Sequence, residues 1–309
     1  MSQTIAMVFP GQGSQAVGML AELAEYTPIV TDTFAEASDA LGYDLWQVVS
    51  TDPNNQLNQT EVTQPALLTA SVAVYRSLQE LTDLSAHTLA GHSLGEYSAL
   101  TCAGVFSLAD AVQLVRARGQ YMQAAVPAGV GAMYAIIGLD DATIEQICAD
   151  VAQQSDAVVS AVNYNSPGQV VIAGNKDAVA QAGALCKEAG AKRALPLPVS
   201  VPSHCALMQP AAEQLAILLD DIEMTNPVLP VINNVDVKVN FEAEAIRDAL
   251  VRQLYRPVQW TKTVELLSAQ GITTVLEVGP GKVLTGLNKR IVKTLDCSSI
   301  NAPEHLEVG

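Results

Sequence analysis

Short apolar runs alternate along the chain with longer stretches in which apolar positions recur every three or four residues, a pattern that predicts strands alternating with amphipathic helices. The run Ile5–Phe9 ends in Pro10-Gly11-Gln12-Gly13 and reads as a first strand. Helical patterns follow over 16–41 and 64–81, with Pro65 suited to the first turn of the second. Thr88–Gly91 reads as a strand entering Gly91-His92-Ser93-Leu94-Gly95, and 94–103 and 107–125 read as helices, the latter N-capped by Ser107. This order points to an α/β architecture.

From Gly129 the pattern changes to strand (132–137), helix (141–153), strand (158–163), strand (170–173), helix (176–189) and strand (193–197). A βαββαβ order is that of a ferredoxin-like module, so 128–198 is expected to be an inserted subdomain within a larger unit made of 1–127 and 199–309. The larger unit resumes with a helix over 205–219, a strand near Val231, two more helices, a strand over 274–278 and a last helix over 282–294.

The 309 residues carry a formal net charge of −16 spread along the chain, which argues against nucleic acid as a partner because counterion displacement needs a basic face. The N-terminus lacks the basic flank and apolar stretch of a signal peptide, and no apolar run reaches membrane-spanning length, so a cytoplasmic protein without membrane attachment is expected. Five scattered cysteines without a CxxC pair suggest neither a disulfide framework nor a zinc site.

A GxSxG pattern alone carries little weight, but here an apolar strand precedes Ser93 and a helix-forming stretch follows it, the strand-turn-helix setting that exposes a nucleophilic hydroxyl. The Leu94 N–H at the helix start is a natural oxyanion donor, and the Gln12 N–H in the first glycine loop is a second. A base is needed, and of four histidines His204 is favoured: it follows Ser203, a good N-cap, where a helix dipole would keep the imidazole neutral. His92 is expected to support the turn or line the pocket. No carboxylate offers itself as a third member, because Asp140, Asp141, Asp150, Asp156 and Asp177 fall at helix starts or exposed faces of the inserted module.

Gly11-Gln12-Gly13-Ser14-Gln15-Ala16 also fits a dinucleotide-binding loop, although Pro10 and the helical setting of Asp32 and Glu36 count against that use. On the helix over 107–125, Arg118 falls on the apolar face with Leu114, Val115 and Met122. A buried guanidinium needs an anion, either a protein carboxylate or the carboxylate of a ligand.

Together, the stretches 9–15, Gln64-Pro65-Ala66, 91–96, Arg118-Gly119, 163–169 and Ser200-Val201-Pro202-Ser203-His204 closely resemble the bacterial malonyl-CoA:acyl-carrier-protein transacylases, and the resemblance covers essentially the whole chain. It implies a hydrolase-like parallel-sheet domain with a ferredoxin-like insertion. By the same resemblance Ser93 is the malonylated serine and His204 its base, with Gln12 and Leu94 as oxyanion amides. Arg118 would pair with the malonyl carboxylate, Gln253 would orient the histidine through its main-chain carbonyl, and Gln64, His92 and Asn163 would border the substrate cleft. The implied partners are malonyl-CoA and acyl carrier protein, and no metal or redox cofactor is implied. Both partners are acidic, so Lys282, Lys289 and Lys293 on one face of the last helix, with Arg290 beside them, and Lys192 and Arg193 on the insertion are candidate docking residues. A serine esterase or thioesterase delivering its acyl group to water, and a noncatalytic carrier-binding module, stand as alternatives.

Overall fold

The apolar run Ile5–Phe9 forms β1, and all five of its residues are buried. From there the chain passes through α1 (Ala21–Tyr26), α2 (Pro28–Leu41), α3 (Leu45–Thr51) and α4 (Thr60–Leu81) to β2 (Thr88–Gly91), α5 (Leu94–Cys102) and α6 (Leu108–Ala125). The next stretch holds β3 (Gly131–Ile137), α7 (Asp141–Ser155), β4 (Val159–Ser166), β5 (Gln169–Asn175), α8 (Lys176–Glu188) and β6 (Arg193–Pro196). The remainder supplies α9 (Gln209–Asp220), β7 (Val231–Ile232), α10 (Ala243–Gln253), α11 (Trp260–Ala269), β8 (Thr274–Val278), α12 (Val283–Ile291) and β9 (Asp296–Ile300). The computed structural model describes residues 4–199 and 201–306; Ser200, part of one motif above, and residues 1–3 of the N-terminal stretch lie outside them.

The larger sheet has the order β7-β2-β1-β8-β9, with every pairing parallel. Helices pack on both of its faces, as a parallel sheet buried on two sides requires. The smaller sheet is antiparallel in the order β4-β5-β3-β6, with α7 and α8 on one face, which is the ferredoxin-like arrangement. Strand β4 of the smaller sheet is joined to the larger unit at the loop between α10 and α11: Asn163 pairs with Val258, the Tyr164 N–H donates to the Val258 carbonyl (3.0 Å), and the Val258 N–H donates to the Val162 carbonyl (2.9 Å). This seam brings the end of β4 beside the carboxyl ends of β1 and β2, where open α/β sheets bind ligands. No helix among the described residues is long and apolar enough to cross a membrane.

Several boundaries differ from the sequence reading. The helix expected over 16–41 is broken at Thr27, whose hydroxyl caps α2 by accepting from the Ile29 N–H (3.3 Å), with Pro28 in the first turn. Helix α4 begins four residues earlier than expected, so Pro65 lies inside it. Its polar start looks like loop in sequence, but α6 packs directly on it: a Cβ on Gly119 would lie 2.8 Å from the Glu61 Cα. The helix expected to start at Cys205 begins as α9 at Gln209, with Pro210 in its first turn, preceded by a short 3-10 turn over Ala206–Met208. Ser203 therefore caps no helix. Helix α3 and strand β9 were not anticipated; β9 is a short edge strand that buries Cys297 and Ile300.

Candidate active site

The turn from β2 into α5 is built by two glycines. A Cβ on Gly91 would overlap the Gly95 carbonyl, and one on Gly95 would overlap the Phe9 carbonyl, so only glycine lets the helix start cross over β1. Between them Ser93 has φ 52° and ψ −110°, a conformation non-glycine residues rarely adopt. The glycine loop after β1 lies against this turn, since a Cβ on Gly11 would meet the His92 carbonyl. That contact places Gln12 on the same cavity as Ser93 and Leu94. No helix follows the loop until Ala21, and Asp32 and Glu36 lie on α2, with Glu36 paired to Arg76 at 2.6 Å; the loop is a wall of the serine site and not a dinucleotide cradle.

His204 closes the site from a different segment. Its φ of 65° is also positive, and its N–H donates to the Leu254 carbonyl (3.0 Å). The ring bridges two oxygens, with Nδ1 2.6 Å from the Gln253 carbonyl and Nε2 2.8 Å from Ser93 Oγ. A carbonyl can only accept, so Nδ1 carries the proton and Nε2 is left bare to receive the serine hydroxyl hydrogen. Burial, followed by the Arg118 charge, lowers the His204 pKa to about 3. The neutral ring anticipated from a helix dipole thus comes from burial, because His204 stands outside a helix.

Arg118 lies in α6 and is only 1% exposed. Nη1 donates to Gln64 Oε1 (2.8 Å), and Nη2 donates to Gln253 Oε1 (3.0 Å) and to Ser93 Oγ (3.3 Å). The Tyr97 ring centroid lies 5.1 Å from its Cζ. Among the described residues no carboxylate forms an ion pair with Arg118, and its Nε has no hydrogen-bond partner. A buried positive charge held by amide oxygens and a hydroxyl is arranged to receive an anion. Gln64 is buried, bonds the guanidinium through Oε1, and is not among the side chains that line the cavity.

These groups surround a cavity of about 500 Å³ that also takes in His92, Asn163 and Met133. His92 Nε2 is 2.8 Å from Asn165 Oδ1 and its ring leans on Trp260, which ties the serine turn to the small sheet. Asn163 Oδ1 is buried with no partner among the described residues, leaving an acceptor on the cavity wall. Cys205 is no rival nucleophile: its Sγ is engaged with the Pro202 carbonyl (3.1 Å), and burial pushes the thiol up to about 11. Asp140 is consumed in capping α7, as expected of the acids in that module.

The sequence reading missed Asn234 and assigned no role to Glu96. Asn234 Oδ1 accepts from the Ser93 N–H (2.8 Å) and its Nδ2 donates to the Gly91 carbonyl (2.6 Å), holding both sides of the turn from a loop 141 residues away. Asn233-Asn234 after a short strand reads as ordinary turn chemistry, so no local signal linked it to Ser93. Glu96 is buried beneath the same turn, where burial pushes its carboxyl up to about 7 against the hydrogen bonds from Gln253 and Asn234.

The pairing of a strained serine with a neutral histidine has a measurable consequence. Because His204 stays unprotonated down to about 3, labelling of Ser93 by an uncharged phosphorofluoridate should be flat between about pH 5 and 8. A rate that falls by half near the ordinary histidine value of about 6.5, and does so equally in Glu96→Gln, which removes the buried carboxyl held up to about 7, would mean that His204 is solvated.

A strained strand-to-helix serine, a bare histidine nitrogen and adjacent helix-start N–H groups make a site for acyl chemistry through a serine ester, and the acyl transferase domain family model matches residues 6–303. The malonyl CoA-acyl carrier protein transacylase of Escherichia coli (strain K12) is 65% identical over 298 residues, 96% of each chain. The crystal structure of an acyl carrier protein S-malonyltransferase from Vibrio cholerae superposes with a TM-score of 0.96 at 63% identity over 99% of each chain. A malonyl-transacylase in complex with a type II PKS acyl-carrier protein matches with a TM-score of 0.96 at 60% identity over 98% of each chain. The chain belongs to the malonyl CoA-acyl carrier protein transacylase family.

Proposed function

We propose that this protein transfers the malonyl group of malonyl-CoA to the phosphopantetheine thiol of acyl carrier protein through a malonyl-Ser93 intermediate, supplying fatty acid biosynthesis in the cytoplasm. The observation that carries this reading is the meeting of His204 Nε2 and Arg118 Nη2 on Ser93 Oγ, at 2.8 and 3.3 Å. One group takes the serine proton, and the other is a buried cation placed for a carboxylate close to the reacting carbonyl. A malonyl thioester has that carboxylate, and an acetyl thioester does not.

In this reading His204 accepts the Ser93 proton as Oγ attacks the thioester carbon, and the oxyanion is held by the N–H groups of Gln12 and Leu94. The Leu94 N–H heads α5 and so has no acceptor within the helix. The carbon–sulfur bond breaks, and the CoA sulfur takes the proton from His204. The carrier-protein thiol then gives its proton to His204, attacks the malonyl-serine, and the proton returns to Ser93 Oγ as the ester bond breaks. The Gln253 carbonyl stabilises the transient imidazolium through Nδ1, in place of a triad carboxylate. Arg118 grips the malonyl carboxylate, Asn163 Oδ1 offers an acceptor to a pantetheine amide, and His92 walls the cleft. Catalysis belongs to the unit of 1–127 and 199–309, while the insertion of 128–198 forms the opposite wall.

The docking surface proposed for the acidic carrier protein gains support from the seam between the two units. Arg290 Nη1 donates to Gln169 Oε1 (2.9 Å), Gln169 pairs with Ile137, and Ile137 pairs with Arg193. The basic end of α12 and the Lys192-Arg193 start of β6 therefore lie at the same end of the smaller sheet, two strands apart. Lys293 lies beyond the end of α12 and Lys282 at its opposite end, so these lysines do not form the single helical face read from sequence.

The function is tested by mixing enzyme, malonyl-CoA and pantetheinylated carrier protein: the carrier protein should gain one malonyl unit at a rate proportional to enzyme, and release of free malonate instead would make the protein a hydrolase. Reversing Lys289 and Lys293 to Glu should lower kcat/KM for the carrier protein about tenfold while leaving acylation by malonyl-CoA nearly unchanged. Unaltered carrier-protein kinetics would remove these residues from the docking surface.

A further inference from the structure

The carboxylate absent beside His204 is present one step further from the cavity. Glu96, in the first turn of α5, is buried, and its Oε2 accepts from Gln253 Nε2 (2.8 Å) and from the Asn234 N–H (3.0 Å). Gln253 Nε2 also donates to the Ser93 carbonyl (3.1 Å), while Gln253 Oε1 accepts from Arg118 Nη2 (3.0 Å). The two ends of an amide are chemically opposite, and this site admits only one orientation. Reversed, Oε1 would face two acceptors, the Glu96 carboxylate and the Ser93 carbonyl, and the NH2 group would face a guanidinium that has only donors. The observed order is guanidinium, amide, carboxylate, with each dipole aligned to the next.

We propose that Glu96 is a positioning residue for Arg118: by fixing the direction of the Gln253 amide it holds the guanidinium against Ser93 Oγ, ready for the substrate carboxylate. A carboxylate is an expensive way to fill this space, since desolvation opposes its charge and a neutral side chain would avoid that cost. Its nearest charges are Arg118 on α6 and Asp236 on the loop after β7, so Arg118 is the only opposite charge among those acting on it. Its hydrogen bonds also run toward the parts that handle substrate. Through Gln253 it reaches both Arg118 Nη2 and the segment whose carbonyl holds His204 Nδ1, and it does not spend its acceptors on the N–H groups of its own helix.

The inference rests on Arg118 receiving the malonyl carboxylate, and it makes a selective prediction. In Glu96→Gln the amide of residue 253 loses the one carboxylate among the three groups that oppose its reversal, the Ser93 carbonyl and the Arg118 guanidinium remaining, while Asn234 keeps its own bonds to the Ser93 N–H and the Gly91 carbonyl. Acylation kinetics should be measured with malonyl-CoA and acetyl-CoA on the wild type, Glu96→Gln, Arg118→Ala and the double variant. Glu96→Gln should lower kcat/KM for malonyl-CoA about 10- to 100-fold and that for acetyl-CoA less than about threefold. In the Arg118→Ala background the same change should cost less than about threefold with malonyl-CoA, because the group it positions is gone.

Glu96→Asp, which withdraws the carboxylate by one methylene, should show the same malonyl-selective loss and serves if the glutamine variant does not fold. Unchanged malonyl kinetics, equal loss on both acyl groups, or additivity with Arg118→Ala would each overturn the proposal. A wild-type enzyme that fails to take malonyl at all would instead overturn the functional reading on which it rests.

Discussion

Replacing Ser93 by alanine should lower malonyl transfer to the carrier protein by about 10⁵-fold or more while leaving the fold intact. The expectation follows from how much of the site converges on one oxygen: His204 Nε2 and Arg118 Nη2 both bond Ser93 Oγ, and the N–H of the next residue opens α5. No neighbouring group can take over. Ser203 lines the cavity, but among the described residues the His204 ring bonds only Ser93 and the Gln253 carbonyl and makes no hydrogen bond to Ser203, and Cys205 is buried with its thiol tied to a carbonyl. The check is single-turnover transfer by a variant whose thermal unfolding matches the wild type. Activity retained within about a hundredfold would mean that the serine is not the acyl carrier.

The second large effect concerns the acyl group itself. Arg118→Ala should reduce kcat/KM for malonyl-CoA about 10²- to 10³-fold more than for acetyl-CoA, since two charge-assisted hydrogen bonds to a buried carboxylate contribute about 3–4 kcal/mol together. The cation is desolvated before substrate arrives, and burial lowers its pKa despite the nearby Tyr97 and Glu96. Its guanidinium is bonded there by amide oxygens and the Ser93 hydroxyl, with no carboxylate among the described residues in direct contact, so the malonyl carboxylate supplies what the fold withholds. Comparable loss on both acyl groups would assign Arg118 a purely structural role. Separate titrations with the two thioesters distinguish these outcomes.

The parts of this site that could be read from the chain are those whose physics is local. The run Ile5–Phe9, the strand Thr88–Gly91 and the glycines around Ser93 declare a strand, a tight turn and a helix start by their own side chains, and the structure places them as expected. Arg118 was legible because a charge on an apolar helix face is a local contradiction. His204 was found for a mistaken reason: Pro210 delays the helix, and the neutral ring is produced by the packing of distant segments. The start of α4 was lost to polar residues that become helical only under α6.

Asn234 and Glu96 lay beyond sequence reasoning on different grounds. Asn234 acts across 141 residues of chain through a turn that looks like any other. Glu96 sits in the serine motif, but its meaning depends on which end of the Gln253 amide it meets. Their importance comes from the meeting of the loop after β7, the start of α5 and the end of α10, and no spacing along the chain encodes it.

The central claim is a covalent malonyl group on Ser93, and intact mass spectrometry of the enzyme after brief exposure to malonyl-CoA tests it most directly. The account predicts a gain of one malonyl unit, mapped to the peptide containing Ser93, that persists in water without carrier protein and vanishes when carrier protein is added. No mass gain, or a gain mapped to another residue, would contradict it.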